Sequence, residues 1–519
     1  MYLLNNYQRK ISVDGGRVPI ILKSLLIGIC VAVVVIAYRL ALSYAGKITL
    51  KIYDFVNLNR GYILPLFIGL AFLSWLVGRM VRKNPMISGS GIPQVEGQIM
   101  GYLKNNWLST LILKFIGGTL AVFAGLSVGR EGPSIQLGAS VAEGISNRTA
   151  KTRTEQKILI ASGASAGLAA AFHAPLAGVI FALEEIFKYF SSAILLATIT
   201  AAVAGNFVSE IVFGLEPIFS FNLEHAIPHS QYWLIIVLGI FVGLAGAFYN
   251  FFLVKTLAVY RKIGEFNQHL KILIPFMVAG ILGLTFPIVL GGGDHIVELF
   301  GTGQTIKFLL LILVVKFLFS MVSFGSGVPG GIFFPLLVLG GLVGGIFGQT
   351  VILKLGVDPL LLGNFTVLAM AGFFTAIVRA PITGIVLLTE MTGSFTHLLP
   401  LTAVSIVAFI TADLLKSTPI YESLLKNQLK NQGIDEEVDS SRKVTIEKVI
   451  HHGSWIEGRT FQELNLPNGS LAIALRRHGQ DITPSGSTIV QASDLLVVLT
   501  GLNDETKIRE LLAEKTEAP

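Results

Sequence analysis

The chain has 519 residues, of which 52% are hydrophobic and only 14% charged. A soluble protein of this size carries roughly 25% charged residues, so a water-soluble globular enzyme is excluded for most of the length. The net charge of +7 reads as membrane topology and not as nucleic-acid affinity, because no basic run carries interleaved aromatic residues.

About 20 polar-mixed residues precede the first apolar run and no small-residue cleavage site follows it, so the first span is expected to act as its own signal. Cys30, the single cysteine, lies in this span, which excludes a disulfide or zinc framework. The uncharged stretches His225 to Val254, Ile272 to Gly293, Pro359 to Val378 and Met391 to Ala412 each reach the ~20 residues that cross a bilayer as a helix. Phe317 to Val357 is about twice that length and must hold more than one element. The fold class is therefore an all-α polytopic membrane protein. Basic residues cluster at Arg9, Lys10, Arg17 and Lys23, at Arg79, Arg82 and Lys83, and at Arg148, Lys151, Arg153 and Lys157, whereas Glu216 to Glu224 and Asp294 to Glu298 carry acids without bases. Lysine and arginine bias the cytoplasmic side, so both termini and the basic loops are expected to face the cytoplasm, in a multi-pass protein of the inner or plasma membrane.

Four parts follow: a cytoplasmic segment over 1–19, a membrane domain over 20–423, a solvated linker over 424–443, and a small cytoplasmic α+β domain over 444–519. In the last part, 471–477 (LAIALRR), 487–490 (STIV) and 494–500 (DLLVVLT) read as strands, and 503–515 as an amphipathic helix behind an Asn or Asp cap.

The membrane part repeats itself. His173-Ala-Pro-Leu-Ala-Gly-Val-Ile-Phe-Ala-Leu-Glu184 resembles Arg379-Ala-Pro-Ile-Thr-Gly-Ile-Val-Leu-Leu-Thr-Glu390 at an offset of 379 − 173 = 206. Gly129-Arg-Glu-Gly-Pro133 and Gly331-Ile-Phe-Phe-Pro335 share G-x-x-x-P at 331 − 129 = 202. Two homologous halves, roughly 20–215 and 230–423, follow, and such repeats with Gly/Pro-broken apolar segments mark transporter folds.

Gly89-Ser90-Gly91-Ile92-Pro93, Gly129-Arg130-Glu131-Gly132-Pro133 and Gly325-Ser-Gly-Val-Pro-Gly-Gly331-Ile332-Phe333-Phe334-Pro335 are helix breakers within or beside apolar segments. A break at membrane depth strands backbone N–H groups and is tolerated only where it lines a cavity or binds something. Helix amino termini suit an anion, and several aimed at one spot would hold it without a buried lysine or arginine, whose full charge would bind too tightly for release. Glu131 costs several kcal/mol at that depth unless compensated; an anion-binding pocket compensates a carboxylate as it would a halide. An ion pair with Arg130 is the bland alternative, disfavoured because neighbours on a helix point apart. Arg130 reads as a structural or loop residue.

These motifs, with Tyr421 in STPIYESLL, closely resemble the CLC family of chloride channels and proton-coupled chloride transporters, over roughly residues 20–430. The resemblance implies a homodimer with one anion pore per subunit, built from two inverted halves, with chloride, protons and membrane lipid as partners. Matched residue by residue, Ser90 and Tyr421 would donate hydroxyls to chloride, Ile332 and Phe333 backbone N–H groups, and Glu131 would be the external gate and proton carrier. The flanking motif residues, Arg130 and Phe334 included, form the filter; Phe334 stands where alanine is frequent. Serine in the first motif goes with chloride in the family. Glu185, with Glu184 as fallback, matches the internal proton acceptor of the exchangers; two solvated acids near Lys188 are the bland reading. Glu390 is the counterpart of Glu184 and reads as a structural, hydrogen-bonded carboxylate. The resemblance thus implies Cl−/H+ exchange, with a passive chloride channel as alternative, and neither metal nor cofactor.

Residues 449–499 resemble the TrkA-C type domain of potassium-transport regulators, on Gly458, Leu464, Leu466-Pro467, Arg476, Gly479, Pro484, Thr488 and Asp494; a nucleotide ligand is a weak expectation beside a folding or dimerisation role. Two decoys remain. Gly325 to Gly330 fits G-x-G-x-x-G but lacks the following acid of a dinucleotide fold. Gly163-Ala-Ser165-Ala-Gly167 with His173 invites an intramembrane serine hydrolase, against which stands small-residue helix packing.

Overall fold

The computed structural model describes residues 17–215, 219, 225–300, 304–431, 443–467, 469–477, 480–501 and 504–516. Arg9, Lys10, nearly all of the acidic loop 216–224, most of the linker and Gly479 lie outside the described residues. The chain forms two compact units, Met1–Leu425 and Lys426–Pro519.

In the first unit the first half comprises α1 (Arg17–Leu58), α2 (Ile63–Lys83), α3 (Ile92–Met100), α4 (Trp107–Phe123), α5 (Glu131–Thr149), α6 (Arg153–Phe172), α7 (Pro175–Phe181) and α8 (Ser192–Phe213). The second half comprises α9 (Tyr232–Phe266), α10 (Gln268–Thr285), α11 (Asp294–Val297), α12 (Ile306–Gly325), α13 (Phe333–Leu355), α14 (Leu362–Val378), α15 (Pro381–Thr392) and α16 (Leu398–Leu414). Among the described residues, eight helices are long and apolar enough to cross a membrane. The apolar run 317–357 divides, as its length requires, between α12 and α13 at the Gly/Pro cluster. A last helix, α17 (Ile420–Asn431), carries Tyr421 and extends into the stretch read as linker.

The two halves match down to their irregular parts. Proline opens a 3-10 turn before each short helix, at Pro85–Ile87 and Pro287–Val289, and prolines open α7 and α15, where the missing N–H is no loss. Small residues let paired helices approach closely: a Cβ on Gly138 would run into the Gly163 carbonyl, and one on Gly163 into the Gly138 carbonyl. In the second half Gly344 faces the Phe365 carbonyl in the same manner. The core of this unit is correspondingly dry, with Phe172, Phe333, Phe374 and Tyr421 all buried.

The second unit is a four-stranded antiparallel sheet in the order β1-β4-β2-β3, with β1 (Lys443–Val449), β2 (Leu471–Arg477), β3 (Gln480–Ile482) and β4 (Leu495–Gly501), and the helix α18 (Glu505–Thr516) against it. Alternation brings Leu496 and Val498 of β4 and Ile446 of β1 into a core shared with Ile508 and Leu512. Residues 487–490 are not a strand, as expected from their composition, but contribute a single bridge, Thr460 to Ile489. Backbone bonds to 458–462 hold this segment, Phe461 N–H to the Thr488 carbonyl and Gly458 N–H to the Val490 carbonyl among them, and one side chain adds to them. Arg477 makes a bidentate pair with Asp494 (2.9 and 2.7 Å) and reaches the Ile489 carbonyl at 2.8 Å. These bonds hold the Arg477 guanidinium above its ordinary pKa.

Gly163→Val is expected to lower the melting temperature of the detergent-solubilised protein, since overpacking costs about 1–3 kcal/mol. Gly69→Ala, where a Cβ meets nothing within 4 Å, should leave it unchanged or slightly raised. Tryptophan fluorescence on heating measures both.

Candidate functional site

The three motifs are bound to one another by their backbones. Gly129 N–H donates to the Gly331 carbonyl at 2.7 Å and Gly331 N–H to the Gly129 carbonyl at 2.8 Å. This reciprocal pair is what a twofold axis between the halves demands. Gly330 N–H donates to the Gly89 carbonyl at 3.0 Å, which ties in the first motif. Behind the loops stand two fully buried lysines. Lys114 reaches the carbonyls of Ile87 and Gly89 (2.9 and 2.6 Å), and Lys316 those of Val289 and Gly291 (2.9 and 2.7 Å). Every partner is displaced by the same 202 residues. These lysines stand behind the loops and face carbonyls, which share their charge and hold the loops in shape.

The helices that start at this junction, α3, α5 and α13, have no side-chain cap, so their amide ends must be answered by something else. Glu131, fully buried at the first position of α5, answers one: its Oε2 accepts the Phe334 N–H at 3.3 Å. Glu131 Oε1 makes no hydrogen bond among the described residues and lies 3.7 Å from Arg130 Nε. The two side chains do meet, contrary to the helical-neighbour argument, because Arg130 is the cap residue outside the helix. Ser90 packs against the start of α5, where a methyl on Gly132 would strike its hydroxyl. Tyr421 joins through aromatic rings, edge-on to Phe181 (6.4 Å), which is edge-on to Phe333 (6.2 Å). Neither Ser90 Oγ nor Tyr421 Oη, both buried, has a hydrogen-bond partner among the described residues. Two orphaned O–H donors cost about 1–3 kcal/mol each in such a place unless an acceptor is supplied, which is what an anion does. The Phe334 ring stacks on Phe172 and Phe219 and lines a cavity of about 260 Å³ beside Glu131 and Arg130.

The acid pair at the end of the repeated motif separates into two environments. Glu184 accepts the N–H groups of Ile382 and Thr383 (3.2 and 2.8 Å) at the start of α15, while Glu390 accepts those of Leu176 and Ala177 (3.0 and 2.8 Å) at the start of α7. Each half thus caps a helix of the other. Glu185 is turned elsewhere by a π-helical segment, Ala182–Phe187, that the second half does not have. It is buried, and its Oε1 has no hydrogen-bond partner among the described residues. Lys188 is committed to Glu96 at 2.6 Å.

The voltage gated chloride channel family model matches residues 69–413. The chain belongs to that family. It is 34% identical over 442 residues to the H(+)/Cl(-) exchange transporter ClcA of Vibrio cholerae serotype O1 (strain M66-2), covering 82% of this chain and 93% of the relative. The transporter of that name from Klebsiella pneumoniae (strain 342) is 32% identical, covering 83% and 93%. Among solved structures, a slow cyanobacterial Cl-/H+ antiporter superposes with a TM-score of 0.75 at 29% identity, over 80% of this chain and 99% of that one. Residues 446–513 match the TrkA-C domain.

Within the family fold the decoys find ordinary explanations. Ser165 sits in the middle of α6, not on a strand-to-helix turn, and the flanking Gly163 and Gly167 give room for the Gly138 and Ser134 carbonyls of α5. His173 Nε2 is 2.8 Å from Nη1 of the buried Arg39. A helix, α12, precedes the G-x-G-x-x-G stretch where a dinucleotide fold has a strand. A fluorophosphonate probe is expected to leave the wild type and Ser165→Ala equally unlabelled, as read by in-gel fluorescence.

Proposed function

We propose that the protein exchanges chloride for protons across the cytoplasmic membrane of a prokaryote, as a homodimer with both termini in the cytoplasm. The observation that carries this reading is the Glu131 carboxylate on the Phe334 amide, at the meeting of two uncapped helix starts. A position that suits a carboxylate suits a halide, so the two compete. Chloride is held between the hydroxyls of Ser90 and Tyr421 and the amides of Ile332 and Phe333, and competes with Glu131 where that carboxylate rests on the Phe334 amide. Protonation removes the charge of Glu131, weakens its hold on the amide end and frees the place for the anion. Glu185, buried and separated from its neighbour Glu184, serves as the second proton station. The similarity to exchange transporters at 34% and 32% identity supports coupled exchange. The TrkA-C domain is the regulatory appendage.

Reconstitution in liposomes with a chloride gradient and a pH electrode tests the reading. The wild type is expected to drive protons against their gradient; Glu131→Gln abolishes proton movement, and Glu185→Gln weakens it while chloride still flows. Chloride flux without proton movement in the wild type would make the protein a passive channel. Ser90→Ala and Tyr421→Phe are each expected to weaken chloride binding by about 1.5 kcal/mol, roughly tenfold, as measured by titration calorimetry.

A further inference from the structure

The loop Gly291-Gly292-Gly293-Asp294-His295 is the second-half counterpart of Gly89-Ser90-Gly91-Ile92-Pro93, 202 residues on at every position. The backbones agree: Gly89 and Gly291 have φ of 63° and 64°, and Gly91 and Gly293 of 100° and 116°. Each loop is clamped by its own buried lysine at equivalent carbonyls. The side chains do not agree. The anion-facing serine is replaced by Gly292, and the apolar Ile92 and Pro93 by Asp294 and His295. A loop of the same shape has exchanged a hydroxyl donor for two groups that bind and release protons.

Both groups line the 260 Å³ cavity that Glu131 also lines, together with Lys47 of α1 and Arg130. Gly292 marks how near they come. A methyl group there would touch the Phe334 ring at 3.2 Å and Asp294 Oδ2 at 3.7 Å, and the Phe334 N–H is the one that holds Glu131. Among the described residues no hydrogen bond or ion pair engages the Asp294 carboxylate, and it does not cap α11. His295 Nδ1 lies 3.8 Å from Glu298 Oε2, at the exposed rim. The charged surroundings are therefore Lys47, Arg130, Glu131, His295, Glu298 and, behind the loop, Lys316.

We propose that Asp294, assisted by His295, is a proton-collecting station that loads Glu131 from this cavity. The inference rests on the exchange reading above. Asp294 takes a proton from solvent or buffer, and the proton passes across the cavity to the Glu131 carboxylate, leaving Asp294 ionised for the next one. The cavity has room for several waters at about 30 Å³ each. The need is physical: hydronium is scarce at neutral pH, and a buried carboxylate behind Arg130 presents a small target for it. An ionised carboxylate and an imidazole at the mouth enlarge the target.

Proton-coupled chloride exchange in liposomes tests this, in weak and in concentrated imidazole buffer above neutral pH. Asp294→Asn is expected to slow exchange several-fold in weak buffer. Imidazole, which can deliver protons directly, should restore it, and so should acid pH. Asp294→Glu should stay within about twofold of the wild type, since a carboxylate is kept. Asp294→Ser serves where the asparagine variant is poorly produced. Rates equal to wild type in weak buffer, or a deficit unchanged by imidazole and by pH, would overturn the inference, the latter marking a purely structural or anion-steering role. Absence of proton movement in the wild type would instead overturn the exchange reading.

Discussion

A helix that stops inside a membrane leaves amide hydrogens that neither lipid nor its own backbone can satisfy, and here three such ends meet at one junction. They impose a requirement for negative charge that does not specify what carries it. The chain meets the requirement with its own carboxylate, Glu131 on the Phe334 amide, and keeps two hydroxyls, Ser90 and Tyr421, that have no partner among the described residues in the same buried neighbourhood. The partial charges of helix ends are strong enough to attract an anion and weak enough to release it. The full cations nearby, Lys114 and Lys316, spend their charge on loop carbonyls. The motif glycines, the close helix pairs and the lysine clamps all serve to keep those amide ends aimed together.

The halves share one frame and differ in what they hang on it. At matched positions the first half offers Ser90 and the second Gly292; the first has Glu131 and the second Phe333. The π-helical segment at Ala182–Phe187 is a similar departure, present on one side only. It lets adjacent acids do different work, Glu184 as a cap and Glu185 as a buried group. Symmetry gives the framework its rigidity, and its breaches at Glu131 and Glu185 each bring in an ionisable residue.

Much of this was legible in the chain. The apolar runs, the Gly/Pro breakers and the constant offsets carry information that a one-dimensional pattern can hold, and they pointed to the junction of the three motifs and to Glu131, whereas the roles of Ser90, Tyr421, Ile332, Phe333 and Glu185 came from the resemblance to the family. What escaped depends on which atoms face which across the axis. That Glu184 and Glu390 exchange caps follows from their 206-residue spacing only once the halves are known to touch. The Arg130 to Glu131 approach was misread because a helical rule was applied to a residue just outside the helix. Lys114 and Lys316 carry no local motif, and their 202-residue spacing is the one signal in the chain that pairs them. In the small domain, 487–490 looks like a strand by composition, but its backbone bonds run to the irregular stretch 458–461, with Arg477 on the Ile489 carbonyl, and it joins no strand of the sheet.

The exchanged caps also bear on how the chain is made. The N–H groups of Leu176 and Ala177 find their acceptor in Glu390, more than two hundred residues later. At a synthesis rate of 5–20 residues per second, that acceptor leaves the ribosome roughly ten to forty seconds after the amides it serves. During this interval the start of α7 lacks the carboxylate that caps it in the folded chain, whereas the start of α15 follows its own cap, Glu184, off the ribosome.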